Sequence, residues 1–129
     1  MMTKKQKLYT LRNDPNVHYN CAQSMLIPFA GDIGITEEQA NALTLNFGGG
    51  MGCGAACGAL VGTLAAMGGL GMPQEKREEL IAEFQSRHQC LNCSQLLEGL
   101  ERGTPEQKVR CDAIIEGCMD WLCREAGLE

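Results

Sequence analysis

A charge-free run rich in glycine occupies residues 47–72, in the middle of the chain. The run is long enough to cross a bilayer, but glycine adds little transfer energy and weakens a helix by about 1 kcal/mol per residue relative to alanine. Its opening glycines, Gly48, Gly49 and Gly50, predict a loop, which leaves the helical part too short to span. The run therefore predicts a buried central helix and no transmembrane span.

The helical part of this run, predicted at about residues 53–67, has one smooth face. Gly54, Gly58 and Gly62 repeat every four residues and therefore lie on the same side of the helix. A face without side chains lets a second backbone approach closely. This pattern favours a helix at the centre of a bundle, and it also makes packing against a second copy, in a homodimer, an expectation.

The other periodic segments also predict helices, and none predicts a strand. Capping residues, prolines at a first helical position and capping boxes mark where these helices begin. The predicted starts are Asp14-Pro15, Thr36, Pro73, Cys93 and Thr104. Together with the glycine-rich helix, they give an all-α, compact bundle of about five to six helices. We expect a single domain over residues 1–129.

The charge balance excludes several classes of function. Acidic residues outnumber basic ones and the formal net charge is −5, so the chain lacks the basic surface that nucleic acids and anionic membranes require. The sequence shows no nucleophile–base pair and no phosphate-binding G-x-x-x-x-G-K motif. A hydrolase or transferase is not indicated, and whether the chain is an enzyme stays open.

Eight cysteines in 129 residues point to chemistry carried by sulfur. The N-terminal residues contain no apolar segment of the kind found in secretory signal peptides. We therefore expect a cytoplasmic protein, since cysteines there stay reduced or bind metal. The spacing matches neither a zinc ribbon nor the cysteine run of a bacterial ferredoxin.

Two close cysteine pairs occur, Cys53/Cys57 and Cys90/Cys93. Cys57 follows the glycines at the start of the predicted central helix, where free backbone amides stabilise a thiolate or bond to the sulfurs of a cluster. We interpret Cys118 and Cys123 as packing residues, because free cysteine is among the most buried residue types.

Four short segments and one late cysteine carry a family resemblance. They are NCAQ at 20–23, FGGGMG at 47–52, CGALVG at 57–62, CSQLL at 93–97 and Cys111. In this order they resemble the family of redox-active proteins known by its cysteine pattern as C_GCAxxG_C_C, over about residues 18–122. A related domain occurs in split-Soret cytochromes c, but this chain has no C-x-x-C-H haem attachment site.

The resemblance implies which cysteines matter. The recurrent cysteines of the family correspond to Cys21, Cys57, Cys93 and Cys111, and Cys53 is a fifth candidate. Either Cys90 or Cys93 can occupy one of these positions, and the CSQLL segment favours Cys93. The resemblance further implies an iron–sulfur cluster, either 2Fe–2S or 4Fe–4S, and a redox partner protein.

Two other functions remain open from the sequence. Cys53/Cys57 or Cys90/Cys93 could cycle between dithiol and disulfide, which would make the chain a thiol–disulfide redox protein. Alternatively, thiolates could hold a structural zinc ion in a helical interaction domain.

Overall fold

Eight α-helices make up the chain in the computed structural model, which describes residues 2–129. They are α1 (Lys4–Arg12), α2 (Cys21–Leu26), α3 (Ala30–Ile33), α4 (Glu37–Thr44), α5 (Gly58–Gly69), α6 (Glu75–His88), α7 (Cys93–Leu96) and α8 (Pro105–Ala126). Short 3₁₀ turns follow α2 and α4, at Ile27–Phe29 and Leu45–Phe47. The described residues contain no strand, only an isolated antiparallel bridge between Ala56 and Asn92. The predicted all-α class is confirmed.

Helix α5 is the central helix that the glycine pattern predicts, and α2 packs against its smooth face. A Cβ atom on Gly62 would lie 2.8 Å from the Ala22 carbonyl oxygen and 2.9 Å from the Met25 Cβ. A Cβ atom on Gly58 would lie 3.1 Å from the Cys21 Cβ. Only glycine leaves room for this approach, so α2 of the same chain fills the face. A homodimer stays a prediction, and this face does not support it.

Helix α8 is the longest element and packs along α5 and α1. It begins directly after Thr104, as its cap residue and the following proline predict. Ile115, Met119 and Leu122 are fully buried along one side of it. These aliphatic side chains join Met25 and Phe29 in the core, whose burial supplies most of the stabilisation of such a fold.

The start of the chain differs from the prediction. Helix α1 was not anticipated, and residues 14–20, where a first helix was expected, are not helical. The Asp14 Oδ1 accepts hydrogen bonds from the amides of Asn16 and Val17, at 2.8 and 3.0 Å, and thereby closes a turn. An aspartate that bonds the next amides looks the same in sequence whether a turn or a helix follows. The next helix begins only at Cys21.

The central helix also begins later than expected, at Gly58 and not near Cys53. The preceding segment, Gly50–Gly54, is a tight loop with several left-handed residues, including Met51 at φ 59°. Left-handed backbone suits glycine and interrupts an α-helix, so the charge-free run divides into a loop and a helix. None of the described helices combines the length and the hydropathy needed to cross a membrane.

Candidate functional site

Four cysteines from four separate segments line one small cavity. Cys21 is the first residue of α2, Cys57 precedes α5, Cys93 is the first residue of α7, and Cys111 lies in α8. The rest of the lining consists of glycine and aliphatic residues, namely Gly49, Gly58, Leu96, Leu97 and Ile114. These four cysteines are the ones that the family resemblance selects. The structure brings them together, and their role as metal ligands stays a prediction.

The NCAQ segment holds Cys21 in place through a capping box. The Asn20 Oδ1 accepts a hydrogen bond from the Gln23 amide at 2.8 Å, and the Gln23 Oε1 accepts one from the Asn20 amide at 2.9 Å. The Asn20 Nδ2 donates to the Leu45 carbonyl at 3.0 Å. Asn20 therefore starts α2 at Cys21. It also bonds α2 to the turn that precedes the glycine-rich loop, residues 48–54.

Two backbone hydrogen bonds join the segments that carry Cys57 and Cys93. The Cys57 amide donates to the Leu91 carbonyl at 2.9 Å, and the Cys93 amide donates to the Ala55 carbonyl at 2.7 Å. These bonds flank the bridge between residues 56 and 92. They place two cysteines that are distant in sequence beside each other at the cavity.

The loop glycines allow this close arrangement. Gly50 has φ +65°, and a Cβ atom there would lie 2.8 Å from the Cys93 Cβ and would collide with the Ala55 backbone. Gly58 is similarly close to Cys21, as described above. Glycines at these two positions let backbone and cysteine side chains approach more closely than any other residue would.

Cys111 is held from within α8 by Gln107. The Gln107 Nε2 donates to the Cys111 Sγ at 3.7 Å, while its Oε1 accepts from the Gly103 amide at 2.7 Å. Thr104-Pro-Glu-Gln107 has the sequence pattern of a capping box, but only half of the box is formed. The Thr104 Oγ1 accepts a hydrogen bond from the Gln107 amide at 3.3 Å. The Gln107 side chain, however, hydrogen-bonds to Gly103 and Cys111 and not to the Thr104 amide.

The pKa values of Cys21 and Cys111 shift in opposite directions. The pKa of Cys111 is lowered to about 6, mainly by the hydrogen bond from Cys21 and also by Gln107 and Arg12, against the effect of burial. The same hydrogen bond, together with burial, raises the pKa of Cys21. Of the two thiols, Cys111 is therefore the more easily ionised.

The other two cavity cysteines, Cys57 and Cys93, have raised pKa values, which favours their protonated form. Burial raises the pKa of Cys57 to about 11, although the amides of Ala59 and Leu60 at the start of α5 act in the opposite direction. Burial also raises the pKa of Cys93, and the exposed Arg102 partly offsets this. Arg102 lies over the rim, with its Nη1 3.3 Å from where a Gly49 Cβ would be.

The remaining cysteines lie outside the cavity. Cys53 is exposed, and its Sγ donates to the Gly50 carbonyl at 3.5 Å. Cys90 is half-buried, with its Sγ 3.5 Å from the His88 carbonyl. Cys118 is buried in the main core, and Cys123 packs at its edge. Of each close pair in the sequence, the structure places only one member, Cys57 or Cys93, at the cavity.

The four thiols are not arranged around a single metal ion. Within residues 2–129, no three or more His, Cys, Asp or Glu side chains are positioned to bind one ion. A zinc ion with Zn–S distances of about 2.3 Å would draw its sulfurs to roughly 3.8 Å from one another. A cluster spreads its cysteines over several irons and accepts a wider set.

The volume of the cavity sets a condition on such binding. The thiols enclose about 20 Å³, which is room for about one water molecule. A cluster is larger, so its binding requires the rim formed by the glycine-rich loop and α7 to move outward. The soft thiolate donor set fits iron and sulfide, and the loop is the part of the rim with the fewest side chains.

The sequence reasoning missed three polar residues at the site, Arg12, Arg102 and Gln107. Gln107 lies four residues before Cys111 on a predicted helix, a spacing that brings two side chains together and could have revealed it. Arg12 and Arg102 reach the cysteines only through the tertiary fold, and no local pattern marks them.

Comparison with known protein families agrees with the cysteine pattern. A family model described as "Putative redox-active protein (C_GCAxxG_C_C)" matches residues 19–124, which is most of the chain. No curated protein and no solved structure matches the chain.

Proposed function

The chain belongs to the C_GCAxxG_C_C family of redox-active proteins, and from this premise we propose that its four cavity cysteines hold an iron–sulfur cluster. The proposal rests on one observation, that thiols from four separate segments line the same cavity. A cluster, when bound, supplies one-electron chemistry. The protein would then exchange electrons with a redox partner protein.

The residues of the chain prepare the cavity for a negatively charged group. Cys111 is the most easily ionised of the four cysteines, because its pKa is lowered and those of the other three are raised. Their remaining protons would be released as metal binds. Arg12 and Arg102 place positive charge near the sulfurs, and the backbone amides of Ala59 and Leu60 hydrogen-bond to Cys57. Leucine and isoleucine side chains exclude water from the remaining surface.

Electrons would pass through the glycine-rich loop in this proposal. Gly49 lines the cavity, and Met51, two residues further on, is 46% exposed. The loop separates the cysteines from solvent with few side chains, so a partner that contacts it comes close to the site.

A redox titration of protein purified without oxygen tests the proposal. We expect a brown protein whose broad visible absorption bleaches with dithionite and returns on reoxidation. The exposed Cys53→Ser variant is the matched control and should behave like the unmodified chain. Protein that stays colourless after reconstitution with iron and sulfide under reducing conditions contradicts the proposal.

A second candidate is thiol–disulfide chemistry, and the contact between Cys21 and Cys111 favours it. The Cys111 thiolate would attack an oxidant disulfide, release one of its sulfurs as a thiolate and form a mixed disulfide. The Cys21 thiol would then lose its proton and displace the second sulfur, which leaves a Cys21–Cys111 disulfide. Two electrons and one proton pass to the oxidant in this exchange, and the oxidant is reduced to two thiols after taking up a second proton from solvent.

Peptide mapping separates this candidate from the pairings Cys53/Cys57 and Cys90/Cys93, which stay predictions. Cluster-free protein is oxidised with glutathione disulfide, alkylated and digested. A reversible crosslink between Cys21 and Cys111 supports the second candidate, whereas its absence excludes it. The cytoplasmic location, which would keep these thiols reduced, likewise stays a prediction.

A further inference from the structure

A second concave region adjoins the cysteine cavity. It consists of two clefts of about 410 and 310 Å³ that share Arg12, His18 and Lys108, and these residues therefore stand between them. Clefts that hold small molecules have volumes of roughly 300–1,000 Å³. The region is thus large enough for a small ligand, and three basic side chains lie at its centre.

Two of these basic groups are held in fixed positions. The Arg12 side chain is only 8% exposed, its Nε donates to the Asp112 Oδ1 at 2.7 Å, and its Nη1 donates to the Tyr19 carbonyl at 2.8 Å. The Lys108 Nζ donates to the other oxygen of the same carboxylate at 2.6 Å. Ordering these two side chains in advance lowers the entropy cost of binding a ligand.

The charges in the region do not cancel. Asp112 neutralises only one of the two cations, and it lines neither cleft. Among the described residues that line the larger cleft there is no carboxylate, and the smaller cleft contains only Asp14. One oxygen of Asp14 is occupied by two backbone amides. The region between the two clefts therefore keeps an excess of positive charge, in a chain whose formal net charge is −5.

The larger cleft lies next to the cysteine site. Gln107 forms part of its wall, and the same side chain donates to the Cys111 Sγ at 3.7 Å. Gln107 therefore belongs both to the cleft and to the surroundings of Cys111.

We propose that the larger cleft binds a small molecule through an oxyanion group, a carboxylate or a phosphate, which Arg12 and Lys108 contact and His18 borders. Charge-assisted hydrogen bonds of this kind are the strong ones in proteins. None of its three basic residues is a candidate cluster ligand, although the charge of Arg12 also reaches Cys21 and Cys111.

Nuclear magnetic resonance titrations with inorganic phosphate and with succinate, at low ionic strength, test this proposal. We expect saturable shifts in residues 103–108 and at Arg12 and His18, from one site per chain. Lys108→Gln should weaken binding by about tenfold, the loss expected for one hydrogen bond to a charged group. The matched control is Lys5→Gln, whose lysine pairs with Asp120 on the surface, and it should bind like the unmodified chain.

The results assign the ligand class or overturn the site. Binding of phosphate alone indicates a phosphate-bearing ligand, binding of succinate alone indicates a carboxylate, and binding of both indicates a general oxyanion site. The proposal is wrong if neither probe gives saturable shifts, or if Lys108→Gln and Lys5→Gln change the affinity equally. Amide spectra of the two variants without probe establish that each retains its fold.

Discussion

Adding one methyl group at Gly62 should separate α2 from α5 and destabilise the fold. In Gly62→Ala the new Cβ would lie 2.8 Å from the Ala22 carbonyl oxygen and 2.9 Å from both the Ala22 Cα and the Met25 Cβ. Ordinary van der Waals contacts begin near 3.4 Å. Two of the three atoms belong to backbone, so α2 as a whole must move outward.

The size of the effect follows from two opposing terms. Overpacking a core by a methyl group costs about 1–3 kcal/mol, and replacing glycine by alanine inside a helix returns about 0.5–1 kcal/mol. Rigid backbone neighbours favour the upper part of the first range, so we expect a net loss of about 1–2 kcal/mol in the free energy of unfolding. Gly68→Ala is the matched control, because nothing lies within 4 Å of its Cβ position in the same helix.

Urea unfolding of the two variants under reducing conditions measures this difference. Gly68→Ala should gain up to about 1 kcal/mol from helix propensity, which places the variants about 1–3 kcal/mol apart. Because α2 begins with Cys21, Gly62→Ala should also lower the iron content, whereas Gly68→Ala should not. If Gly62→Ala is as stable as Gly68→Ala, α2 does not lie against the glycine face and the account of the site loses its basis.

Three further predictions concern single side chains. Burial raises the pKa of Cys118 from 9.0 to about 12, so ionisation favours the unfolded chain as pH rises through this window. Relative to Cys118→Ala, the unmodified chain should lose about 1.4 kcal/mol of unfolding free energy per pH unit there, and parallel pH profiles in urea would contradict this. Arg102→Gln should lower the reduction potential of a bound cluster by no more than roughly 40 mV, equivalent to about 1 kcal/mol for an exposed charge, while the exposed Arg77→Gln leaves it unchanged. Equal potentials in both variants would remove Arg102 from the site. Asn20→Ala should cost more stability than Thr36→Ala, which loses only a helix cap worth about 1 kcal/mol, because Asn20 also bonds the turn before the glycine-rich loop. Equal thermal shifts would show that the second bond contributes nothing.

The helices with strong local signals were predictable from the sequence. Helix α4 begins at a complete capping box and α8 at a threonine followed by proline, and both start where the sequence predicts. Helix α1 was not predicted although Thr3 and Gln6 form a complete capping box at its start. Only Leu8 and Leu11 of its residues are buried, too few to form a recognisable stripe. The turn at Asp14 was misread because the same side chain–amide bonds close turns and cap helices.

The four cysteines of the site were predictable from the sequence, but the charged residues around them were not. The resemblance selects the four cysteines that the structure places at one cavity. The reason for the motif spacing emerges only in three dimensions, where the two glycines of CGALVG admit α2 and bring Cys21 to Cys57. The contributions of Arg12 and Arg102 depend on tertiary packing, and local patterns carry no information about them.

Iron and sulfide content in two matched pairs of variants tests the central claim most directly. The pairs are Cys53→Ser with Cys57→Ser, and Cys90→Ser with Cys93→Ser, each purified without oxygen. The account predicts that Cys53→Ser and Cys90→Ser keep the iron and sulfide of the unmodified chain, in a ratio of roughly 1:1, while Cys57→Ser and Cys93→Ser lose most of both. Iron and sulfide retained in all four variants, or lost in Cys53→Ser or Cys90→Ser, would contradict a cluster held at this cavity.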